Sequence, residues 1–219
     1  MKWIGRLLLF FFLSTILVAV AYKWVPVYLT PLMLLRAYEY KDDDDFHTHH
    51  TWVSYEEIPT NLVKAVISSE DGNFMHHNGI DYKAIEQAQI DNRTRKHPRG
   101  ASTISQQTAK NVFLWPESSW LRKGMEVYFT FLIETIWGKK RIMEVYLNSI
   151  EMGKGIYGVE AVAEYHFNTT SSELSRSQCA LIAASLPNPI KFNSAEPSNY
   201  MQKRKRWILK EMKFVNTIP

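Results

Sequence analysis

Glu70 stands where a carboxylate can do acid–base work. The run from Asn61 to Asp71 reads as a helix, because Leu62, Val63, Val66 and Ile67 recur at helical spacing and mark one buried face. Glu70 follows Val66 by four positions and Ile67 by three, so it falls on that apolar face. A carboxylate there loses hydration, and its pKa rises toward the range of a general base or acid. A salt bridge at a helix end accounts for the same stretch equally well.

Three further groups carry chemistry. Ser102, Gln106 and Lys110 are spaced by four, which predicts a polar stripe on one helix face with Gln107 beside it. Hydroxyl, amide and ammonium together suit an oxygen-rich ligand such as a sugar diphosphate; an ordinary amphipathic surface would show more charges. Arg122 and Glu126 are i, i+4 partners, either a structural ion pair worth about 0.3–0.5 kcal/mol on an exposed helix or groups turned to a ligand with Lys123. Lys140 lies in the basic run that follows Gly138, where solvation is the simpler reading. Glu144, Tyr146 and Asn148 sit in an apolar helix and need partners, so they read as scaffold.

The elements that must hold these residues are mostly helical. Helices are expected near 59–71, 81–92, 102–113, 119–137, 139–149, 157–167, 175–186 and 197–214, with a short extended piece over Thr51–Tyr55. Ser175 and Gln178 have capping-box spacing, and Pro187 stops the helix they open. Few strands and many short helices predict a mainly α fold around one cleft. Pro26 and Pro31 interrupt any single helix after the N-terminal segment. Lys41 to His50 reads as a polar loop; its Asp42–Asp45 run resembles part of an epitope tag, and His47, His49 and His50 lack a frame that would fix a metal.

With 219 residues, 46% of them hydrophobic, the chain can hold one ordinary domain and an anchor. The single cysteine, Cys179, excludes an internal disulfide and reads as a small core residue. The net charge of +4 is concentrated near the C-terminus, at Lys203–Arg206, Lys210 and Lys213, as a solvated helix face or a surface for anionic partners. Leu7 to Tyr22 carries no charge, and Trp3 to Tyr22 is long enough to cross a bilayer if Arg6 snorkels. Lys2 and Arg6 place the N-terminus in the cytoplasm. Ala19-Val20-Ala21 also has the form of a cleavage site, but cleavage would expose the greasy strip from Trp24 to Leu35. The division expected is an anchor over 1–25, a juxtamembrane segment and linker over 26–50, and a catalytic domain over 51–219.

Several motifs then stand in order. Glu70-Asp71-Gly72-Asn73-Phe74-Met75-His76-His77-Asn78-Gly79 resembles the E-D-x-x-F-x-x-H-x-G motif of the peptidoglycan glycosyltransferases. Gly100 to Lys110 is similar to their G-x-S-T-I-x-Q-Q-x-x-K, and Arg122 to Glu126 to their R-K-x-x-E. Lys140 to Asn148, followed by Gly153, Gly155 and Gly158, resembles the fourth motif; the helix ending at Leu186-Pro187-Asn188-Pro189 resembles the fifth. The likeness runs from about Trp52 to Phe214. One departure stands out: relatives often carry a basic residue shortly before R-K-x-x-E, and Pro116–Ser119 has none.

The resemblance implies a lysozyme-like α fold and polymerisation of lipid II into β-1,4-linked glycan by inverting transfer from an undecaprenyl-pyrophosphate-linked donor. It implies Glu70 and Glu126 as catalytic carboxylates. Asp71, Ser102, Thr103, Gln106, Gln107, Lys110, Arg122, Lys123 and Lys140 would meet substrate, and Phe74, His77, Glu144, Tyr146 and Asn148 would frame the cleft. No metal ligands are implied, although a divalent cation (Mg2+ or Mn2+) could bridge the pyrophosphate. The partners implied are lipid II and the growing chain, membrane lipid and other cell-wall synthesis proteins, with no nucleic acid. The site would face the outer side of the bacterial cytoplasmic membrane. No Ser-x-x-Lys tetrad or Lys-Thr-Gly accompanies the motifs, which predicts a monofunctional enzyme. A muralytic enzyme, or a non-catalytic wall scaffold, is the alternative. Val112–Pro116 and Trp120 form an aromatic stretch that reads either as a second membrane contact or as a core-packing turn.

Overall fold

The computed structural model describes residues 2–95, 100–216 and 218. Helix α1 (Lys2–Ala21) is the long apolar segment, and its residues are almost all exposed. It is long and apolar enough to cross a membrane by length and composition. Its C-terminal carbonyls do not end in open space. The Trp137 indole N–H donates to the Ala19 carbonyl at 2.7 Å, and Arg141 donates to the carbonyls of Tyr22 and Val25 at 2.9 and 2.7 Å. A cation at a helix C-terminus also suits the helix dipole.

Helix α2 (Pro31–Glu39) is an element that the sequence reading missed. No single helix runs past Pro26 and Pro31, as expected, and Pro31 itself opens this helix, where its missing N–H costs nothing; Thr30 caps the turn by accepting from Met33 N–H. The eight expected helices all form, with ends shifted by up to three residues. They are α3 (Thr60–Glu70), α4 (Tyr82–Asn92), α5 (Ile104–Phe113), α6 (Trp120–Ile136), α7 (Gly138–Ser149), α8 (Gly158–Phe167), α9 (Arg176–Ser185) and α10 (Asn199–Glu211). The extended piece lies earlier than expected. Strand β1 is His49–His50, and it joins β3 (Ile156–Tyr157) in parallel, with β2 (Glu151–Gly153) on the other side of β3. The end of the supposed polar loop is therefore tied into the fold.

Two helix groups make the core. Helix α3 packs on α9 and α10, and α5 packs on α6 and α7. Val63, Val66 and Ile67 of α3, Ile104 and Ala109 of α5, and Val145 and Leu147 of α7 are all buried in one cluster. Cys179 is buried among them, and burial pushes its thiol up to about 12.

Asn148 locks α7 to the chain before α3. Its Oδ1 accepts from Val53 N–H at 2.9 Å, and its Nδ2 donates to the carbonyls of Val53 and Glu144 at 3.0 and 2.9 Å. Gly158 approaches its backbone so closely that an added Cβ would lie 2.5 Å from the Asn148 carbonyl oxygen, at φ +80°, so the last motif glycine is required twice over. Asn148→Ala leaves the buried amide and carbonyl of Val53 unpaired. The expected loss is about 2–4 kcal/mol of stability, read as a lowered midpoint in chemical unfolding of the detergent-solubilised protein.

Candidate active site

The site begins where α3 stops. Asp71 leaves helical geometry at φ −157° and turns its carboxylate inward, with its side chain only 3% exposed. It accepts from the N–H of Ile104, the first residue of α5, at 3.0 Å, and from His77 Nε2 at 3.0 Å. Gly79 N–H donates to His77 Nδ1, so the ring proton is on Nε2 and points at Asp71. Gly79 lies against α6, where an added Cβ would stand 2.6 Å from Thr130 Cγ2, and its carbonyl accepts from the Thr103 hydroxyl at 2.6 Å. Phe74 is fully buried beneath this turn, with the Lys139 ammonium 4.5 Å from its ring centroid. The first motif is thus a knot that joins α3, α5 and α6.

Glu70, the residue before the knot, faces a cavity on either side. One, of about 500 Å3, is walled by Ser102, Gln107, Pro187, Arg204 and Trp207. The other, also about 500 Å3, is walled by Asp71, Lys83, Gln87, Asp91 and Thr103. Glu70 Oε2 accepts from Gln107 Nε2 at 3.2 Å, and Gln107 Oε1 in turn accepts from the Tyr146 hydroxyl at 3.1 Å. Burial is the largest influence on Glu70 and pushes its pKa up; the Gln107 hydrogen bond, Arg204 and the Ser69 hydroxyl oppose that, and Asp71 adds to it. The Tyr146 phenol is fully buried, and its pKa is raised well above the usual value, so it remains a donor that aims Gln107.

The second motif is divided between holding and lining. Ser102 precedes the helix instead of joining a stripe on it, because Thr103 is the cap: Thr103 Oγ1 accepts from Gln106 N–H, and Gln106 Oε1 accepts from Thr103 N–H. Thr103 and Gln106 are accordingly buried and bonded to each other. Ser102 is exposed and lies on the walls of both Glu70 cavities.

The third motif forms a charge cluster. Glu126, 3% exposed, takes Arg122 Nη1 at 2.5 Å and also the Lys123 ammonium. The Arg122–Glu126 pair is therefore buried, and the exposed-pair expectation is corrected. Lys110 of α5 feels the same group: burial pushes its pKa down, Glu126 pulls it back up, and Arg122 and Lys123 push it down again. Arg122 Nε is buried with no hydrogen-bond partner among the described residues. Lys123 lines a further cavity of about 300 Å3 that also contains Ser102 and Gln106. Ser102 thus links the Glu70 cavities to the cationic end, and Glu126 reaches the cleft through the cations it holds.

One expected member lies elsewhere. Lys140 pairs with Glu56 at 3.2 Å and lies over the Tyr55 ring, with both charges at least half exposed, so it belongs to a surface contact of α7. Glu144 pairs with Arg141 at 3.0 Å, as scaffold. The aromatic stretch divides as well. Leu114 and Val112 are buried and Phe113 stacks on Phe129, whereas Trp120 is 95% exposed beside exposed Leu121. Arg204 and Trp207 of α10 were missed because they follow the last motif and look like members of a solvated basic run.

The comparisons agree with this geometry. A family model described as Transglycosylase matches residues 38–213. The chain belongs to the transglycosylase family. A protein of Bacteroides thetaiotaomicron named biosynthetic peptidoglycan transglycosylase is 60% identical over 220 residues, covering 100% of this chain and 89% of that protein. A relative of the same name from Bdellovibrio bacteriovorus is 51% identical, over 95% of this chain and 84% of its own length. One from Pseudomonas aeruginosa is 45% identical, over 94% and 90%. This transglycosylase is an enzyme of glycosyl transfer, and the cavities at its Glu70–Gln107 pair share Ser102 with the cavity that Lys123 lines.

The Tyr146–Gln107–Glu70 chain makes a specific demand. Tyr146→Phe keeps the buried ring but frees the Gln107 amide to rotate away. Losing about 1 kcal/mol of orientation predicts a roughly fivefold fall in kcat, with KM little changed, in a glycan-polymerisation assay.

Proposed function

We propose that this enzyme polymerises lipid II into β-1,4-linked glycan with Glu70 as the general base. The observation that carries the reading is the setting of Glu70: a carboxylate between two cavities, held by a neutral amide, with burial raising its proton affinity. The 4-hydroxyl of the acceptor lipid II gives its proton to Glu70 as its oxygen bonds to the muramyl C1 of the donor chain. The bond from C1 to the undecaprenyl pyrophosphate breaks, and that group leaves with the electron pair. Direct displacement at an α-linked donor yields the β product. General-base catalysis of this kind contributes about 10²–10⁴-fold.

The leaving pyrophosphate needs cations, and Lys110, Arg122 and Lys123 supply them. The support is their gathering around one buried glutamate and the free Arg122 Nε donor. A muralytic enzyme has no pyrophosphate to neutralise and no use for such a set. A divalent cation (Mg2+ or Mn2+) bound to the pyrophosphate would add to that neutralisation.

The substrate is lipid-linked, and α1 fits a single-pass anchor. Lys2 and Arg6 orient it with the N-terminus in the cytoplasm and the cleft on the outer face of the cytoplasmic membrane. Trp120 and Leu121 make a second membrane contact, supported by their exposure and by the packing of α6 along α1, where the hydroxyls of Thr15 and Tyr128 meet at 2.9 Å.

Glu70→Gln is expected to abolish polymerisation of lipid II while leaving the unfolding midpoint within a few degrees of wild type; an active variant refutes the base assignment. The wild-type pH profile of kcat/KM should have an acid limb above the ordinary glutamate value of about 4.3, because burial raises the pKa and the base works ionised. For the membrane contact, wild type and Trp120→Phe are compared in vesicles containing brominated lipid. The wild type should show an additional quenched tryptophan component; equal quenching places Trp120 in water.

A further inference from the structure

One wall of the catalytic cleft comes from α10, beyond every motif in the sequence. Arg204 reaches from it to the last turn of α3. Its Nη2 donates to Ser69 Oγ at 2.8 Å, lies 3.5 Å from the Ser69 carbonyl oxygen, and stands 3.8 Å from Glu70 Oε1. Its Nε is buried with no hydrogen-bond partner among the described residues. Ser69 Oγ is also 3.2 Å from Glu70 Oε1 and 3.2 Å from the Ala183 carbonyl. A hydroxyl has one proton and two lone pairs, so Ser69 can accept from Arg204 while donating to Glu70. Arg204 therefore acts on the carboxylate both directly, by charge, and through one hydroxyl.

The groups around Glu70 show why this cation matters. Gln107 and Tyr146 are neutral donors from α5 and α7. Asp71, adjacent in the chain, repels a second negative charge. Arg95 shares the cavity wall. Among the described residues, Arg204 is the cation within ion-pair range of Glu70. Burial raises the proton affinity of this carboxyl, and a protonated base cannot accept the acceptor's proton. A guanidinium stays charged across the whole working range.

We propose that Arg204 is a positioning residue for the base: it fixes the last turn of α3 through Ser69 and sets a positive charge beside the Glu70 carboxylate. The proposal rests on the reading of Glu70 as general base and adds to it a residue on α10. A purely structural tie between α10 and α3 predicts something different, namely lower activity at every pH with no displacement of the profile.

The test uses the full chain in detergent micelles with lipid II, across pH 5 to 9. Arg204→Met is expected to move the acid limb of kcat/KM upward by about one pH unit, because an opposite charge within about 4–6 Å lowers a carboxyl pKa by roughly 1–3 units and part of that is screened here. On the limb this is about a tenfold loss, recovered toward alkaline pH. Arg204→Lys retains the charge and should keep the limb near its wild-type position. Ser69→Ala breaks the hydroxyl link and should move the limb upward by a smaller amount. A second readout needs no turnover: the Glu70 side-chain carboxyl carbon, labelled with 13C and assigned by its loss in Glu70→Gln, should titrate at higher pH in Arg204→Met. A folded Arg204→Met with both the limb and the carbon titration unmoved overturns the proposal. If that variant does not fold, an unmoved limb and titration in Ser69→Ala overturn it. An active Glu70→Gln would overturn the base reading instead, and the carbon titration would still report on Arg204.

Discussion

The cleft depends on what Asp71 does at the end of α3. A buried carboxylate must be paired, and Asp71 is satisfied by the first N–H of α5 and by His77. Those two bonds determine where α3 ends relative to where α5 begins. Glu70 is one residue earlier, so its position follows from theirs. Gly79, pressed against Thr130 of α6, completes the junction. Asp71, next to the proposed base, thus has a structural task that needs no contact with substrate.

Charge is mixed around Glu70: Asp71, Asp81 and Asp91 share one cavity wall with it beside Lys83, and Arg204 stands across the other cavity. Cations gather around Glu126, at the end reached through Ser102 and Lys123. On the proposed mechanism a hydroxyl loses its proton at Glu70 and a pyrophosphate leaves toward the cations, and a low-dielectric cleft strengthens both interactions. Glu126 keeps three mutually repelling cations close together, a task for which a buried carboxylate with two direct partners is well suited.

The anchor is docked on the catalytic helices as well as attached to the chain. Trp137 and Arg141 cap the end of α1, and Tyr128 meets Thr15 while packing against Phe11 and Phe12. If α1 spans the bilayer as proposed, these contacts set the height of α6 and α7 above it. A lipid-linked substrate brings its phosphates at a fixed depth, so a rigid relation between anchor and cleft carries functional weight.

Much of this was legible in the chain. Apolar spacing located eight helices, the uncharged run from Leu7 located the long apolar helix α1, and the ordered motifs located the family. Local rules also foretold the Ser175–Gln178 cap. What they could not separate was ligand contact from support, because both use the same polar residues. Thr103 and Gln106 bond to each other, Lys140 goes to Glu56 at the surface, and Pro31 opens a short helix that apolar spacing did not reveal. Arg204 shows the converse. In sequence it is one cation in a basic run, and only the packing of α10 on α3 brings it beside Ser69 and Glu70. Periodicity and capping act over a few residues and can be read along the chain; the environment of a charge is set by groups distant in sequence, so the tertiary structure alone decided which charges share the cleft.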